Sequence, residues 1–339
     1  MAENILRLVS HILSRYVFNM ANAQAVLRLS TPVVLAALAA LITERAGMLN
    51  IAAEGIINFC TFSAIAGAFF LRSTPAGITV ALLTGLAVSG FFALLSLRFR
   101  ADFVVIGLSI NIFAIAATMF AGRVLFKQAG SFSDPSIVGL PPVKIPVLAE
   151  IPVLGPLLSG QSPITYLVWI LVPLTQIFLY RTKWGLRLRA VGENPQAAET
   201  LGVNVLAIRF AAILASGVFA ALAGIYLSLS HLQMYSDNMA AGRGFMGMSA
   251  STFGSGEPVG AFLASMLFGL AEAIGWRLHG ERLLPPQFVN MLPYAATLFF
   301  LAAYTARRRR KERQALETTA KELERAYEAR RDLAAGQEA

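Results

Sequence analysis

Long apolar runs recur along this chain, and they constrain its fold more than any other feature. Because an α-helix needs about 20 apolar residues to cross a hydrocarbon core of about 30 Å, each run is long enough for about one membrane span. Only 14% of the residues are charged and the mean hydropathy is +0.64, whereas soluble domains carry about 25% charged residues. The chain is therefore predicted to be an integral membrane protein, with spans at residues 23–42, 51–71, 76–97, 103–121, 164–180, 207–229, 258–276 and 288–305.

One further segment, residues 242–256, is too short and too rich in glycine for an ordinary span, and it predicts a broken or re-entrant helix. The predicted fold class is an all-α, polytopic transmembrane helical bundle of about nine spans with interrupted helices. Because the basic run ARRRRKER after the last span places the C-terminus in the cytoplasm, an odd count leaves the N-terminus outside. Arg7, Arg15 and Arg28 favour the opposite side, so the N-terminal side and the exact count stay open.

Three regions of the chain differ in composition. Residues 5–20 place apolar side chains on one helical face, so residues 1–22 are predicted to be an amphipathic segment in the membrane interface and not a cleavable signal. Residues 23–305 form the predicted transmembrane domain, and residues 306–339 a charged cytoplasmic tail. The long, proline-rich connection at 122–163 is predicted to lie outside, where it either helps to receive a delivery protein or is a tolerated insertion.

The loop between the spans at 164–180 and 207–229 is the most informative polar stretch. Four basic residues crowd its start, so the positive-inside rule places it in the cytoplasm: Arg181, Lys183, Arg187 and Arg189. Asn194 is suited to cap a helix and Pro195 to occupy its first position, with good helix formers following at Ala197 and Ala198. Gly202 is placed to end that helix. The pattern predicts a short cytoplasmic helix that docks into another protein; the alternative is a basic loop that only fixes topology.

The stretch RAVGENPQAAETLGV within this loop resembles the coupling segment of ABC-importer permeases of the ribose, branched-chain amino acid and nucleoside group. The stretches ERAGMLNIAAEG and GRGFMGMSASTFGSGEPVG are similar to two further signatures of that family. The resemblance implies that the loop helix enters a groove on a cytosolic ATP-binding subunit. The residues to which it assigns this coupling role are Arg189, Gly192, Glu193, Asn194, Pro195, Ala197, Ala198 and Gly202.

The resemblance also implies three kinds of partner and a location. These are a cytosolic ATP-binding subunit, a second permease that forms a homologous heterodimer, and an extracytoplasmic solute-binding protein. The implied location is the plasma membrane, the inner membrane in bacteria, where basic residues at the span ends also favour anionic lipid. Nucleosides or purines are the first expected substrates, simple sugars the second and branched-chain amino acids the third.

A line of polar residues interrupts the first of these signatures. Glu54 lies in an apolar segment, where a carboxylate is costly and normally faces the interior of a helix bundle. Asn50 and Asn58 lie four residues to either side, on the same face if the helix is continuous, and Asn111 adds an amide on a neighbouring span. These residues, with Gly244 and Phe245 of the glycine-rich segment, either line the translocation path or fix the packing of the gate.

Several motifs that suggest chemistry lack the context that the chemistry requires. Gly242, Gly244 and Gly247 match a dinucleotide fingerprint, but no strand precedes them. A phosphate-loop spacing near residue 275 lacks its lysine, so the chain is predicted to have no ATPase site of its own. Cys60 is the single cysteine, so neither a disulfide framework nor a thiolate metal site is expected. No catalytic residue or cofactor is expected either, because no third group orients His231 or His279 near a nucleophile. No nucleic-acid partner is expected, because the positive charge is concentrated at the ends of the apolar runs. A proton-coupled secondary transporter that uses Glu54 is the alternative function, and it leaves the loop helix unexplained.

Overall fold

The computed structural model of the chain describes residues 20–143 and 159–280, all within one compact unit, Met1–Pro293. The regular secondary structure in these described ranges is helical, apart from two two-residue strands. Its ten α-helices are α1 (Met20–Arg45), α2 (Ala53–Phe70), α3 (Thr74–Ala93), α4 (Phe103–Phe126), α5 (Pro163–Arg181), α6 (Lys183–Glu193), α7 (Pro195–Thr200), α8 (Val205–Ile225), α9 (Arg243–Phe253) and α10 (Pro258–Gly280). Two π-helical segments, Leu94–Arg98 and Tyr226–Leu232, extend α3 and α8.

Seven helices within the described ranges are long and apolar enough to cross a membrane. They match the seven predicted spans in that part of the chain and run over Asn22–Arg45, Ala53–Phe70, Thr74–Arg98, Phe103–Phe126, Pro163–Arg181, Val205–Leu232 and Pro258–Arg277. The eighth predicted span, at residues 288–305, lies outside the described residues, as do positions 5–19 of the amphipathic pattern and the tail at 306–339. The total of about nine crossings therefore stays a prediction.

The first two spans form the interior of the bundle. In the most apolar 18 residues of α1 and α2, 78% and 72% are buried, against 28–39% in the other five spans. The centre of α1, from Val33 to Ala39, is fully buried, and α1 packs against α8, α9 and α10. The outer spans therefore retain apolar faces toward the membrane, whereas α1 and α2 are surrounded by protein.

Small residues let α8 approach its neighbours closely, as is typical of helices that pack in membranes. A Cβ on Gly217 would lie 1.9 Å from the Ser89 hydroxyl oxygen of α3, and a Cβ on Gly224 would lie 2.8 Å from the Ile57 carbonyl of α2. Ala221 lies between these glycines and is fully buried. The short distances show that backbone rather than large side chains forms this part of the interface.

The two ends of the bundle differ in character. The coupling end, as we call it, holds α6, α7, the turn after α1 and the turn between α9 and α10. The opposite, distal end holds β1 (Ser131–Phe132) and β2 (Tyr235–Ser236), which pair antiparallel. An aromatic cluster supports that pair: Phe126 and Phe132 stack with ring centroids 4.0 Å apart, and Tyr235 packs edge-on against Phe62.

The long connection begins later than the sequence predicts. We expected it to start at residue 122, but α4 continues to Phe126 and ends at Lys127, which adopts a left-handed conformation. Gly122 does not break the helix, because it faces the Tyr235 ring, 3.2 Å from where its Cβ would stand. Close packing therefore explains this glycine better than a turn does.

Candidate functional site: the coupling segment and the interrupted helix

The predicted short helix of the loop is present as α7. The Asn194 side-chain oxygen accepts a hydrogen bond from the Ala197 amide at 3.0 Å, and Pro195 occupies the first helical position. Gly202 has φ of +79°, and its amide donates to the Glu199 carbonyl. Each of these residues does what its type predicts: asparagine caps, proline begins and glycine ends the helix.

The surface of α7 is largely open. Glu193, Gln196, Ala197 and Glu199 are exposed, whereas Ala198 is buried against the bundle. Leu201, at the end of the helix, is 84% exposed. Since a large apolar side chain at a protein surface favours burial against a partner, α7 offers a protruding apolar anchor with acidic residues on either side.

The preceding helix, α6, attaches this surface to the bundle. A Cβ on Gly192 would lie 2.2 Å from the Arg45 carbonyl oxygen and 3.1 Å from the Gly47 amide nitrogen. The Arg189 Nε donates to the Leu179 carbonyl at 3.1 Å, and its guanidinium stacks 4.8 Å from the centroid of the Tyr180 ring. Gly192 and Arg189 thus face the membrane helices, and the exposed residues of α7 face away from them.

The predicted break between the spans at 23–42 and 51–71 and the predicted short helix within 242–256 are both present. The chain leaves the helical conformation between α1 and α2, at residues 46–52, and α9 spans only 11 residues. Gly242 precedes α9 in a left-handed conformation, and Ser255 and Gly256 follow it with φ of +58° and +64°. α9 therefore begins and ends in sharp turns within the bundle, where its terminal backbone groups need partners.

Glu54 supplies the partners at the N-terminal end of α9. Its Oε1 accepts a hydrogen bond from the Gly242 amide and its Oε2 one from the Gly244 amide, both at 2.7 Å. The residue is only 5% exposed. The free amides and the positive end of the helix dipole favour a carboxylate at this position, so the helix end offsets the cost of burying it.

The asparagines near Glu54 have separate partners. Asn58 accepts from the Ala240 amide at 3.1 Å, so it extends the contact between α2 and the chain before α9. Asn111 accepts from the Gly55 amide at 2.7 Å and donates to the Ile51 carbonyl at 2.9 Å, which ties α4 to the start of α2. The side chains of Asn50, Asn58 and Asn111 are all buried.

The continuous stripe that we considered from Asn50 to Asn58 does not form. Since α2 begins at Ala53, Asn50 lies in the turn before the helix and not on the face that carries Glu54. Its amide nitrogen donates instead to the Ser216 hydroxyl of α8 at 2.8 Å. The four polar residues therefore lie in one region of the bundle but stabilise three different contacts: Glu54 and Asn58 join α2 to α9 and the chain before it, Asn111 joins α4 to α2, and Asn50 joins the turn before α2 to α8.

Arg45 binds the turn that follows the other end of α9. Its Nε donates to the Gly256 carbonyl at 2.7 Å and its Nη2 to the Ser255 carbonyl at 3.1 Å. Next to it, Glu44 accepts a hydrogen bond from the Ser251 hydroxyl at 2.6 Å. Residues on either side of the break at 46–52 therefore contact both ends of α9: Glu54 of α2 binds the N-terminal end, and Glu44 and Arg45 of α1 bind the C-terminal end and the turn that follows it.

An ion pair that the sequence analysis did not identify lies beside Glu54. The Arg243 Nη2 contacts the Glu272 Oε1 at 2.5 Å, and both side chains are 12% exposed. The sequence could have revealed Glu272, because it is an acidic residue within the apolar span of α10, and an acidic residue in an apolar segment is also what indicated Glu54.

Of the other predicted site residues, Gly244 contacts Glu54 directly, whereas Phe245 is 42% exposed and lies outside this polar cluster.

We expect the substitution Glu54→Gln to destabilise the protein by about 1–3 kcal/mol, because a glutamine has one acceptor oxygen for two buried backbone amides and turns a donor toward one of them. Thermal unfolding of the purified protein in detergent measures this. Glu257→Gln is the matched control, since the Glu257 carboxylate is exposed at the start of α10. Equal melting temperatures for the two variants would contradict the capping role of Glu54.

Comparison with known proteins supports one family. The model of the "branched-chain amino acid transport system / permease component" family matches residues 22–301. The nucleoside ABC transporter permease protein NupC of Lactococcus lactis is 34% identical over 285 residues, which cover 81% of this chain and 89% of NupC. The guanosine ABC transporter permease protein NupQ of Bacillus subtilis is 33% identical, with 84% and 91% covered.

Sugar permeases and second permeases of the same bacteria are also similar. The putative glucose ABC transporter permease protein TsgC13 of Haloferax volcanii is 28% identical, with 82% of this chain and 89% of the relative covered. Lactococcus lactis and Bacillus subtilis each have a second permease that matches, NupB at 30% identity over 129 residues and NupP at 26% over 292. The matched family model covers all seven spans of the described residues and α7, and the long alignments with NupC and NupQ both exceed 30% identity, so the chain belongs to the family of permease components that includes these ABC transporter subunits.

Proposed function

We propose that this permease carries nucleosides into the cell as one of two membrane subunits of an ABC importer, with simple sugars as the second candidate class. The names of NupC and NupQ, at 34% and 33% identity, support nucleosides, and that of TsgC13, at 28%, supports sugars. The observation that carries the proposal is α7, a capped helix that projects an exposed apolar residue from the coupling end. A secondary transporter has no need of such a surface.

The proposed mechanism is alternating access driven from outside the chain. ATP-binding subunits close around α7 on the cytoplasmic side, and α6 passes the motion to residues 45–47, against which Gly192 packs. The permease domain, residues 23–305, then changes the side on which its path is open. The basic residues near α6 support the cytoplasmic position of this end. The basic run ARRRRKER supports the cytoplasmic position of the C-terminal tail at 306–339.

The proposed assembly contains a second, homologous permease and an extracytoplasmic solute-binding protein. The paired names NupC with NupB and NupQ with NupP support a heterodimer. The exposed apolar side chains along α4 support contact with lipid or with that second permease: Ile112, Phe113 and Phe120. The distal end, with the connection that starts at Lys127, is the proposed side at which the solute-binding protein delivers its solute.

Within the site, we assign different roles to the predicted path residues. Asn50, Glu54, Asn58 and Asn111 maintain the fold of the gate, because each is buried and hydrogen-bonded between segments. Phe245 is the candidate for the path, because it projects from α9 with 42% of its surface exposed. The two backbone hydrogen bonds to Glu54 disfavour proton coupling, because a carrier must be free to release and take up its proton.

Uptake into proteoliposomes tests the proposal. The full complex, with both permeases, the ATP-binding subunits and the solute-binding protein, is expected to accumulate radiolabelled guanosine when ATP is supplied, and glucose or leucine at lower rates. A catalytically inactive ATP-binding subunit is the control and should abolish uptake. Accumulation driven by a proton gradient without ATP would contradict the proposal, and faster uptake of glucose than of guanosine would reverse the order of substrates.

A further inference from the structure

Arg45 joins two parts of the molecule that the proposed function requires to move together. It is the last residue of α1, and its side chain crosses to the turn between α9 and α10. Its backbone contacts a different element: the Arg45 carbonyl oxygen would lie 2.2 Å from a Cβ on Gly192 of α6. The same residue thus contacts the coupling segment with its main chain and the interrupted helix with its side chain.

The contact with α9 and α10 is built for a guanidinium group. Nε donates to the Gly256 carbonyl and Nη2 to the Ser255 carbonyl, while Nη2 also lies 3.1 Å from the Tyr180 hydroxyl. A Cβ on Gly256 would stand 3.0 Å from the Arg45 Nη2, so glycine leaves the space that the planar group occupies. Lysine has a single donor centre and cannot reproduce this fork.

A second route links the same guanidinium to α6. Tyr180, near the end of α5, accepts the Arg45 contact at its hydroxyl and receives the stacked guanidinium of Arg189 on its ring, 4.8 Å from the centroid. Arg189 is in turn hydrogen-bonded to the Leu179 carbonyl. A displacement of α6 therefore reaches Arg45 both through the backbone at Gly192 and through the side chain of Tyr180.

The opposite end of α9 is held by a different element. Glu54 of α2 binds the amides of Gly242 and Gly244, so a force applied at Ser255 and Gly256 acts on one end of a short helix whose other end is fixed. A rigid helix under such a constraint tilts, since its own hydrogen bonds resist stretching. α9 is also the helix that carries Phe245, the candidate path residue.

We infer that Arg45 is a positioning residue that converts movement of the coupling segment into a tilt of α9, and hence couples ATP hydrolysis to transport. The inference rests on the proposed function and deepens it, because it assigns the link between the two sites to one side chain. Its distinctive consequence is uncoupling: loss of the fork leaves the ATP-binding subunits docked and active while α9 no longer follows them.

The test compares Arg45→Gln and Arg45→Lys in the full complex, with Arg123→Gln as the control because Arg123 is exposed at the distal end of α4. Solute uptake per ATP hydrolysed is expected to fall at least about tenfold in both Arg45 variants, as in the loss of a coupling free energy of about 1.4 kcal/mol. ATP hydrolysis itself should stay within about twofold of the wild type. Tyr180→Phe, which removes one partner of the fork, should give an intermediate ratio.

A distance measurement separates coupling from a merely structural role. Spin labels at Thr252 of α9 and Thr79 of α3, both exposed, should show an ATP-dependent change of distance in the wild type and none in Arg45→Gln. Three outcomes would each overturn the inference. The first is a ratio of uptake to ATP hydrolysis in Arg45→Gln equal to that of the wild type, and the second is an ATP-dependent distance change in that variant as large as in the wild type. The third is a loss of ATP hydrolysis that parallels the loss of uptake. If instead the wild-type complex shows no ATP-dependent uptake, the proposed function itself is contradicted, independently of the Arg45 variants.

Discussion

The substitution Gly244→Ala is expected to lower solute uptake at least about tenfold and to reduce the melting temperature of the permease by several degrees. A Cβ on Gly244 would stand 2.6 Å from the Glu54 amide nitrogen and 2.8 Å from its Oε2. The neighbours are backbone and a fixed carboxylate, so the methyl group can be accommodated only if α9 moves away from α2. Such overpacking costs about 1–3 kcal/mol, and the separation also weakens the two hydrogen bonds to Glu54.

The matched control for Gly244→Ala is Gly90→Ala in α3. The nearest heavy atom to a Cβ at Gly90 is a Leu214 methyl carbon at 3.9 Å, so the same change meets ordinary contact there. Alanine also favours the helical conformation over glycine by about 1 kcal/mol, so this variant should be as stable as the wild type or more so. Thermal unfolding and uptake are measured on both variants. Wild-type values for Gly244→Ala would show that α9 does not depend on close contact with Glu54.

The substitution Leu201→Asp is expected to weaken binding of the ATP-binding subunit by about 30-fold or more, a loss of about 2 kcal/mol that is typical of a central apolar anchor in an interface. Leu201 is 84% exposed at the end of α7, so its side chain does not stabilise the isolated permease. Replacement should leave membrane insertion and melting temperature unchanged while ATP-driven uptake is lost. Surface plasmon resonance with the purified ATP-binding subunit measures the affinity.

Two controls accompany Leu201→Asp. Leu201→Met keeps an apolar side chain and should retain affinity. Val138→Asp introduces the same charge at an apolar residue that is 69% exposed at the distal end, and it should leave binding of the ATP-binding subunit unchanged. If Leu201→Asp binds the ATP-binding subunit as tightly as the wild type does, α7 is not the docking surface, and the coupling mechanism must use another part of the chain.

These predictions depend on features that the sequence reveals to different degrees. The spans are recognisable because a helix in a membrane satisfies its own backbone hydrogen bonds, so length and apolar composition suffice to identify it. The short helix α7 is recognisable because its boundaries are local: the Asn194 cap, Pro195 and Gly202 act within a few residues of one another. The interruption near residues 242–256 is recognisable from glycine content, since left-handed residues such as Gly242 before α9 and Gly256 after it limit a helix locally.

The partners of the polar residues are a different matter. Glu54 is separated from Gly242 by 188 positions in the chain, and Arg45 from Gly256 by 211. The sequence indicates that a carboxylate in an apolar segment needs a partner. It does not indicate which of the many amides and cations in the bundle is that partner. Asn50 illustrates the limit: its spacing from Glu54 suggests a shared face, and only the break before Ala53 turns it toward Ser216.

The sequence by itself determined that this is a multi-pass helical membrane protein with a projecting α7 and an interrupted helix, because these features follow from hydrophobic length, charge and capping within short stretches. Only the tertiary structure decided that residues on either side of the break at 46–52 contact both ends of α9, and that Arg45 lies between α9 and the coupling segment. The physical reason is that a hydrogen bond forms only between groups about 3 Å apart. The chain contains many chemically equivalent groups, and the packing of all the helices determines which of them come that close.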